Sequence, residues 1–152
     1  MIKEGTKAPD FSLPDSEGRM VALSGFAGKR VLLVFYPGDD TPVCTSQLCS
    51  YRDNYSEFQK RDITILGISV DSVDSHKRFG EKNDLPFTLL SDSRKTVTRQ
   101  YDAMDFIGMS KRAYVFIDET GTVRIAFNDL LPVFYQSTRD LFARIDAMKP
   151  GE

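Results

Sequence analysis

The hydrophobic pattern changes character along the chain, and each change marks an element. Arg30 to Tyr36 (RVLLVFY) and Ile63 to Val70 (ITILGISV) are nearly unbroken β-branched and aromatic runs, as expected of strands buried on both faces. Strands of that kind run parallel and need crossover helices. Pro42 to Arg61 supplies one, and Ser72 to Asn83 and Ser93 to Asp102 supply two more around a short strand at Phe87 to Leu90. Ahead of these, Phe11 to Leu23 reads as a hairpin turning at Asp15 to Gly18. Behind them, Arg112 to Ile117 and Val123 to Phe127 flank the turn Asp118-Glu119-Thr120-Gly121 and predict a second, antiparallel hairpin. Tyr135 to Met148 closes the chain as a helix with the stripe Leu141, Phe142, Ile145 and Met148. The pattern predicts an α/β fold, a central mixed sheet with an N-terminal hairpin extension and helices on both faces.

Composition narrows the function more than the fold. The 152 residues suit a single domain spanning 1–152. A balance of 20 basic and 22 acidic residues advertises neither nucleic acid nor an anionic membrane as partner. The opening Met1-Ile2-Lys3-Glu4-Gly5-Thr6 lacks the order of a signal peptide, and the longest apolar run is the six residues Val31 to Tyr36. The expectation is a soluble, cytoplasmic protein. In a reducing cytosol, two cysteines five positions apart point to reactive rather than structural thiols.

The helix carrying them is marked at its start. Thr41 stands where an N-cap belongs, Pro42 at the first helical position, and Cys44 two residues further in. Cys44, Leu48, Tyr51, Tyr55 and Phe58 follow at spacings of 4, 3, 4 and 3, one stripe facing the sheet. Cys44 therefore points inward at the helix N-terminus, where free backbone N–H groups and the helix dipole stabilise a thiolate. A buried small hydrophobe fits the same stripe, and the helix alone does not choose between the two. Cys49 lies about 140° around the helix and about 7.5 Å along it, a Cα separation of about 8.6 Å. A disulfide tolerates roughly 7 Å. The pair can be thiols in a helix or a disulfide in an unwound segment, which suits a redox switch better than a staple. So short a loop would in any case add little entropic stabilisation.

The stretch Pro37 to Asp53 (PGDDTPVCTSQLCSYRD) resembles the peroxiredoxins, specifically the bacterioferritin-comigratory or Q-type group. The likeness continues in Gly5 to Phe11 (GTKAPDF), Ser72 to His76 (SVDSH), Leu85 to Asp92 (LPFTLLSD) and Arg112 to Asp118 (RAYVFID). The resemblance implies a thioredoxin-like fold and a thiol-dependent peroxidase acting on hydrogen peroxide and organic hydroperoxides. It implies Cys44 as the peroxidatic cysteine, Cys49 as the resolving cysteine joined to it by an intramolecular disulfide, and Thr41, Pro37 and Arg112 completing the site. It also implies thioredoxin or a glutaredoxin-like dithiol as reductant, no cofactor or metal, and a monomer or weak homodimer. The chemistry agrees: Arg112 cannot lose its charge and can both hold a thiolate and donate to a peroxide oxygen. Thr41 is asked to cap the helix and to bind peroxide with one hydroxyl, and the two roles compete. Gly38 stands where many relatives carry lysine, and Val43 where many carry glycine; both bear on substrate preference. The alternative, a thioredoxin-type disulfide oxidoreductase, shares the fold but normally uses cysteines three apart at a helix N-terminus, and no Cys-x-x-Cys is present.

Other residues receive bland readings. His76, the sole histidine, lies in a polar stretch and is expected to be solvated or to cap a helix. With one histidine and this cysteine spacing, no zinc site is expected. Asp39 and Asp40 are expected to serve the turn and the helix dipole. Gly25 and Gly28 form no phosphate-binding fingerprint, so no nucleotide or flavin is expected. Met104 and Met109 border a glycine-containing stretch to which the pattern assigns no element.

Overall fold

The computed structural model describes residues 1–129, 135 and 137–148. In chain order its elements are β1 (Ser12–Pro14), β2 (Met20–Ala22), β3 (Arg30–Phe35), α1 (Pro42–Asp53), α2 (Tyr55–Lys60), β4 (Ile63–Ser69), α3 (Val73–Lys82), β5 (Thr88–Ser91), α4 (Thr96–Gln100), β6 (Ala113–Ile117), β7 (Val123–Asn128) and α5 (Thr138–Asp146). Strands β1 and β2 form the expected antiparallel hairpin. The main sheet has the order β5-β4-β3-β6-β7, parallel from β3 through β5 and antiparallel from β3 through β7. Helices lie on both faces of a mixed sheet, as the pattern predicted.

Alternation along the strands separates two cores. Leu32, Val34 and Tyr36 of β3 and its extension join Tyr114 and Phe116 of β6 beneath α1, α2, α3 and α5. Val31, Leu33 and Phe35 face the other way with Ala113, Val115 and Ile117, under the N-terminal segment, the hairpin and α4. A strand with an apolar residue at every position serves both faces at once, which is why Val31 to Tyr36 shows no polar alternation. None of the described helices is long and apolar enough to cross a membrane.

Three helices differ from the sequence reading by more than a residue at an end. The helix expected over Pro42 to Arg61 breaks at Asn54, whose φ of −111° and ψ of 19° leave the helical region. The Asn54 side chain donates to the Ser50 carbonyl at 2.8 Å, the local competition with backbone that makes asparagine a poor interior helix residue. The helix expected from Ser93 shrinks to Thr96–Gln100, because the Asp92 carboxylate captures the Val97 and Thr98 N–H groups and Lys95 adopts a left-handed φ of 63°. The last helix starts at Thr138 rather than Tyr135, with the Ser137 hydroxyl accepting from the Asp140 N–H at 3.2 Å.

Arg61 ties α2 to α5. Its guanidinium donates to both Asp146 oxygens at 2.9 and 2.8 Å, reaches Glu57 at 3.1 Å, and lies 4.0 Å from the Phe142 ring centroid. The bond from Arg61 holds the Asp146 carboxyl below its usual range, and Lys60 followed by Arg61 does the same for Glu57. A carboxyl depressed in the folded state contributes fully above its unfolded value near about 4 and loses that contribution as pH falls through the folded value. The thermal midpoint of the reduced protein should therefore drop on acidification below about pH 4. Asp146→Asn should make that acid limb shallower in a circular-dichroism titration, and an unchanged limb would contradict the assignment.

Candidate functional site

Residues far apart in the chain meet where β3 ends and β6 begins. Antiparallel pairing sets Phe35 opposite Ala113, so Tyr36 and Pro37 leave the sheet beside Arg112, which precedes β6. The chain turns through 37–41 and enters α1, whose apolar stripe packs it back onto the same face. Cys44, Leu48 and Tyr51 of that stripe are fully buried, as is Phe58 of α2, and Tyr55 at the start of α2 is partly so. Cys44 thus sits in the first turn of α1, over the end of the sheet that holds Arg112.

The contact between them is direct. Arg112, only 4% exposed, donates from Nη1 to Cys44 Sγ at 3.1 Å and to Gln47 Oε1 at 2.6 Å. An arginine has no acceptor, so the Gln47 oxygen must face it, and the Gln47 amide nitrogen turns to the Tyr51 and Tyr114 hydroxyls at 3.0 and 3.3 Å. Tyr114 in turn donates to Asp129 at 2.7 Å. Burial pushes the Tyr51 hydroxyl far above its ordinary pKa, so it stays a neutral phenol. The result is a guanidinium fixed directly against the Cys44 sulfur.

Thr41 occupies the N-cap position with extended backbone, but its hydroxyl makes no capping bond; it donates to the Gly38 carbonyl at 3.1 Å. The expected competition between cap and pocket is absent, and among the described residues no side chain caps the first-turn N–H groups of α1. Pro37 is half-buried at the end of β3. Cys49 is a free, partly buried thiol on the flank of α1 that faces α3, donating to Asn83 Oδ1 at 3.7 Å. Cys44 is likewise free. The structure brings Cys44, Thr41, Pro37 and Arg112 to one end of the sheet and leaves Cys49 on a different side of the helix.

Two sequence readings are corrected. His76 is neither solvated nor a cap: it is fully buried on the inner face of α3, three residues from Phe79. Asp39 does not simply serve the turn; its side chain is almost fully buried against that histidine. His76 Nε2 lies 3.0 Å from the Leu90 carbonyl, which can only accept, so Nε2 carries a proton; Nδ1 meets Asp39 Oδ2 at 2.7 Å. Tyr36 and Ser75 hydroxyls donate to the same carboxylate at 2.7 and 2.8 Å, and Asp71 accepts the Asp39 backbone N–H at 2.8 Å. This network anchors the turn that delivers Thr41 and Cys44. The sequence signal for His76 was its spacing from Phe79, and for Gln47 its place three residues after Cys44. Tyr114 and Asp129 carried no local signal.

Asp39, Asp71 and His76 offer ligand atoms within 4.8 Å of one another, a grouping that in principle suits a metal ion. Each is already engaged within the protein, Asp71 also by the Ser69 hydroxyl at 2.6 Å, so a cation would have to displace bonds that satisfy buried groups. The 102–111 stretch is a tight turn in which Asp105 accepts the Ile107 and Met109 N–H groups at 3.0 and 2.9 Å, with Phe106 at its tip 99% exposed.

Comparison with known proteins gives a consistent picture. The AhpC/TSA family profile matches residues 5–126. The chloroplastic peroxiredoxin Q of Sedum lineare is 44% identical over 131 residues, covering 84% of this chain and 70% of that protein. Among solved structures, the peroxidoxin BcpB of Mycobacterium tuberculosis superposes with a TM-score of 0.86 at 28% identity, covering 98% of this chain and all of that one. The bacterioferritin comigratory protein of Xanthomonas campestris, described for alkyl peroxide reduction, gives 0.79 at 26% identity over 90% of this chain and 88% of its own.

Removing one partner from a buried hydrogen bond leaves the other unsatisfied and typically costs about 1–3 kcal/mol. Asp39→Asn and His76→Leu should each lower the stability of the reduced protein by that order in chemical denaturation. Midpoints within error of the parent protein would show that the network does not carry the turn.

Proposed function

The chain belongs to the AhpC/TSA family of peroxiredoxins and is a peroxidase, and from that premise we propose that Cys44 attacks the peroxide, with Cys49 closing a disulfide onto it. The observation that carries this reading is the 3.1 Å contact of a buried, permanently charged Arg112 with Cys44 Sγ. The Cys44 thiolate attacks one oxygen of the hydroperoxide, an S–O bond forms and the O–O bond breaks. The departing alkoxide or hydroxide takes up a proton and leaves as alcohol or water; sulfur is oxidised to sulfenic acid. Arg112 and the first-turn N–H groups of α1 offer donors to the charge developing along the breaking bond. Thr41, its proton committed to Gly38, keeps lone pairs that accept from the peroxide O–H. Pro37 walls the entry.

Cys49 then condenses with the Cys44 sulfenic acid, releasing water, and an external dithiol such as thioredoxin or a glutaredoxin-like protein reduces the disulfide. Helix geometry sets the two Cα atoms about 8.6 Å apart, so the first turns of α1 must unwind for closure. Bonding within one chain needs no second subunit, in keeping with a monomer or weak homodimer. Thiols of this kind suit a reducing compartment, the cytoplasm. Organic hydroperoxides join hydrogen peroxide as substrates on the strength of the Xanthomonas relative's alkyl peroxide activity. A thioredoxin-type disulfide carrier is disfavoured by the five-residue spacing of the cysteines.

Rapid mixing of the reduced protein with one equivalent of peroxide, followed by mass mapping, tests the scheme. The parent chain should form a Cys44–Cys49 disulfide, Cys49→Ser should stop at sulfenic acid on Cys44, and Cys44→Ser should be inert. Arg112→Met should slow peroxide consumption by about 10²–10³-fold, the effect of losing a preorganised donor. A Cys44→Ser protein that reacts as the parent does would remove Cys44 from the chemistry.

A further inference from the structure

We infer that Asn83, the residue that ends α3, is a positioning residue that holds Cys49 inside α1 and so sets the delay between oxidation of Cys44 and closure of the disulfide. The inference rests on the reaction proposed above and concerns its second step.

Asn83 is held on every polar atom. Its backbone N–H and its Nδ2 both donate to the Phe79 carbonyl, at 3.2 and 3.0 Å. Its own carbonyl accepts from Arg52 Nη1 of α1 at 2.7 Å. With Nδ2 committed to a carbonyl, the amide oxygen has one orientation left, and it is there that Cys49 Sγ donates at 3.7 Å. Arg52 and Cys49, three residues apart on one side of α1, thus grip the C-terminal cap of α3 together.

That grip opposes the motion the disulfide requires. Cys44 and Cys49 point to different sides of α1, and Cys49 must leave α3 to reach Cys44. The attacking species is the Cys49 thiolate, which cannot donate to Asn83, so the contact belongs to the resting thiol alone. In the closing step the thiolate attacks the Cys44 sulfur, the S–S bond forms, the S–O bond breaks, and hydroxide leaves as water with the proton that Cys49 gave up. Each moment that Cys49 stays on Asn83 prolongs the Cys44 sulfenic acid and its exposure to a second peroxide, which drives it to sulfinic acid.

Two variants separate this role from simple capping. Asn83→Ala removes both the acceptor and the Nδ2 donor; Asn83→Asp removes the donor, and its carboxylate, turned away from the Phe79 carbonyl, still offers an acceptor oxygen to Cys49. In quenched-flow mass spectrometry, Asn83→Ala should form the disulfide roughly three- to ten-fold faster than the parent chain, the range expected from losing one modest hydrogen bond to the closed state. It should also yield less sulfinic acid at excess peroxide and show faster amide exchange over residues 44–50 in the reduced protein. Asn83→Asp should close at the parent rate or more slowly. An Asn83→Ala rate equal to the parent's, or an Asn83→Asp rate equal to that of Asn83→Ala, overturns the inference while leaving the peroxidase reading intact. Absence of both sulfenic acid on Cys44 and the Cys44–Cys49 disulfide in all three proteins overturns both.

Discussion

A guanidinium keeps its charge at any pH a protein meets, so burying one obliges the surroundings to supply acceptors. At Arg112 those acceptors are the Cys44 sulfur and the Gln47 amide oxygen, and the obligation propagates outward. Gln47 must present its oxygen inward, which turns its nitrogen to Tyr51 and Tyr114, and Tyr114 passes the chain of bonds to Asp129. The first turn of α1, the start of β6 and the end of β7 are thereby bound around one charge. A site arranged this way is organised before any peroxide arrives, which is the condition under which fixed dipoles stabilise a transition state most effectively.

The turn between β3 and α1 is the second fixed body. Asp39 is pinned by His76 from α3 and by Tyr36 from the end of β3, while Asp71 at the end of β4 holds the Asp39 backbone. Since Gly38 accepts the Thr41 hydroxyl, the rigidity of that turn reaches the residue beside Cys44. The proposed reaction asks opposite things of α1: order at its first turn for attack on peroxide, and unwinding for the disulfide. The break at Asn54 and the Arg61 grip on α5 separate α2 from that motion, so the demand falls on α1 alone.

Much of this was legible along the chain, because strand burial and helix amphipathicity are written in local residue order. The two unbroken apolar runs, both hairpins and the helix start at Thr41-Pro42 are all where the pattern placed them. The inward stripe through Cys44 and Tyr51 was equally plain. Where side chains compete with the backbone for hydrogen bonds, the pattern fails by a few residues, as at Asn54 and Asp92. His76 was misjudged for a different reason: a polar residue in a polar stretch reads as solvated unless its buried partners are known, and Asp39 and Leu90 come from other elements.

The sequence by itself determined the alternation of elements, the inward direction of Cys44, and the impossibility of joining Cys44 to Cys49 in an intact helix. Those follow from periodicity and helix geometry, which act over a few residues. Only the tertiary structure decided that Arg112 meets Cys44 across 68 positions, that Gln47 locks the pair, and that Asn83 receives Cys49. Each of those contacts depends on strand order and register, with β6 pairing beside β3 so that Ala113 faces Phe35, and pairing between distant strands leaves no local mark on the chain.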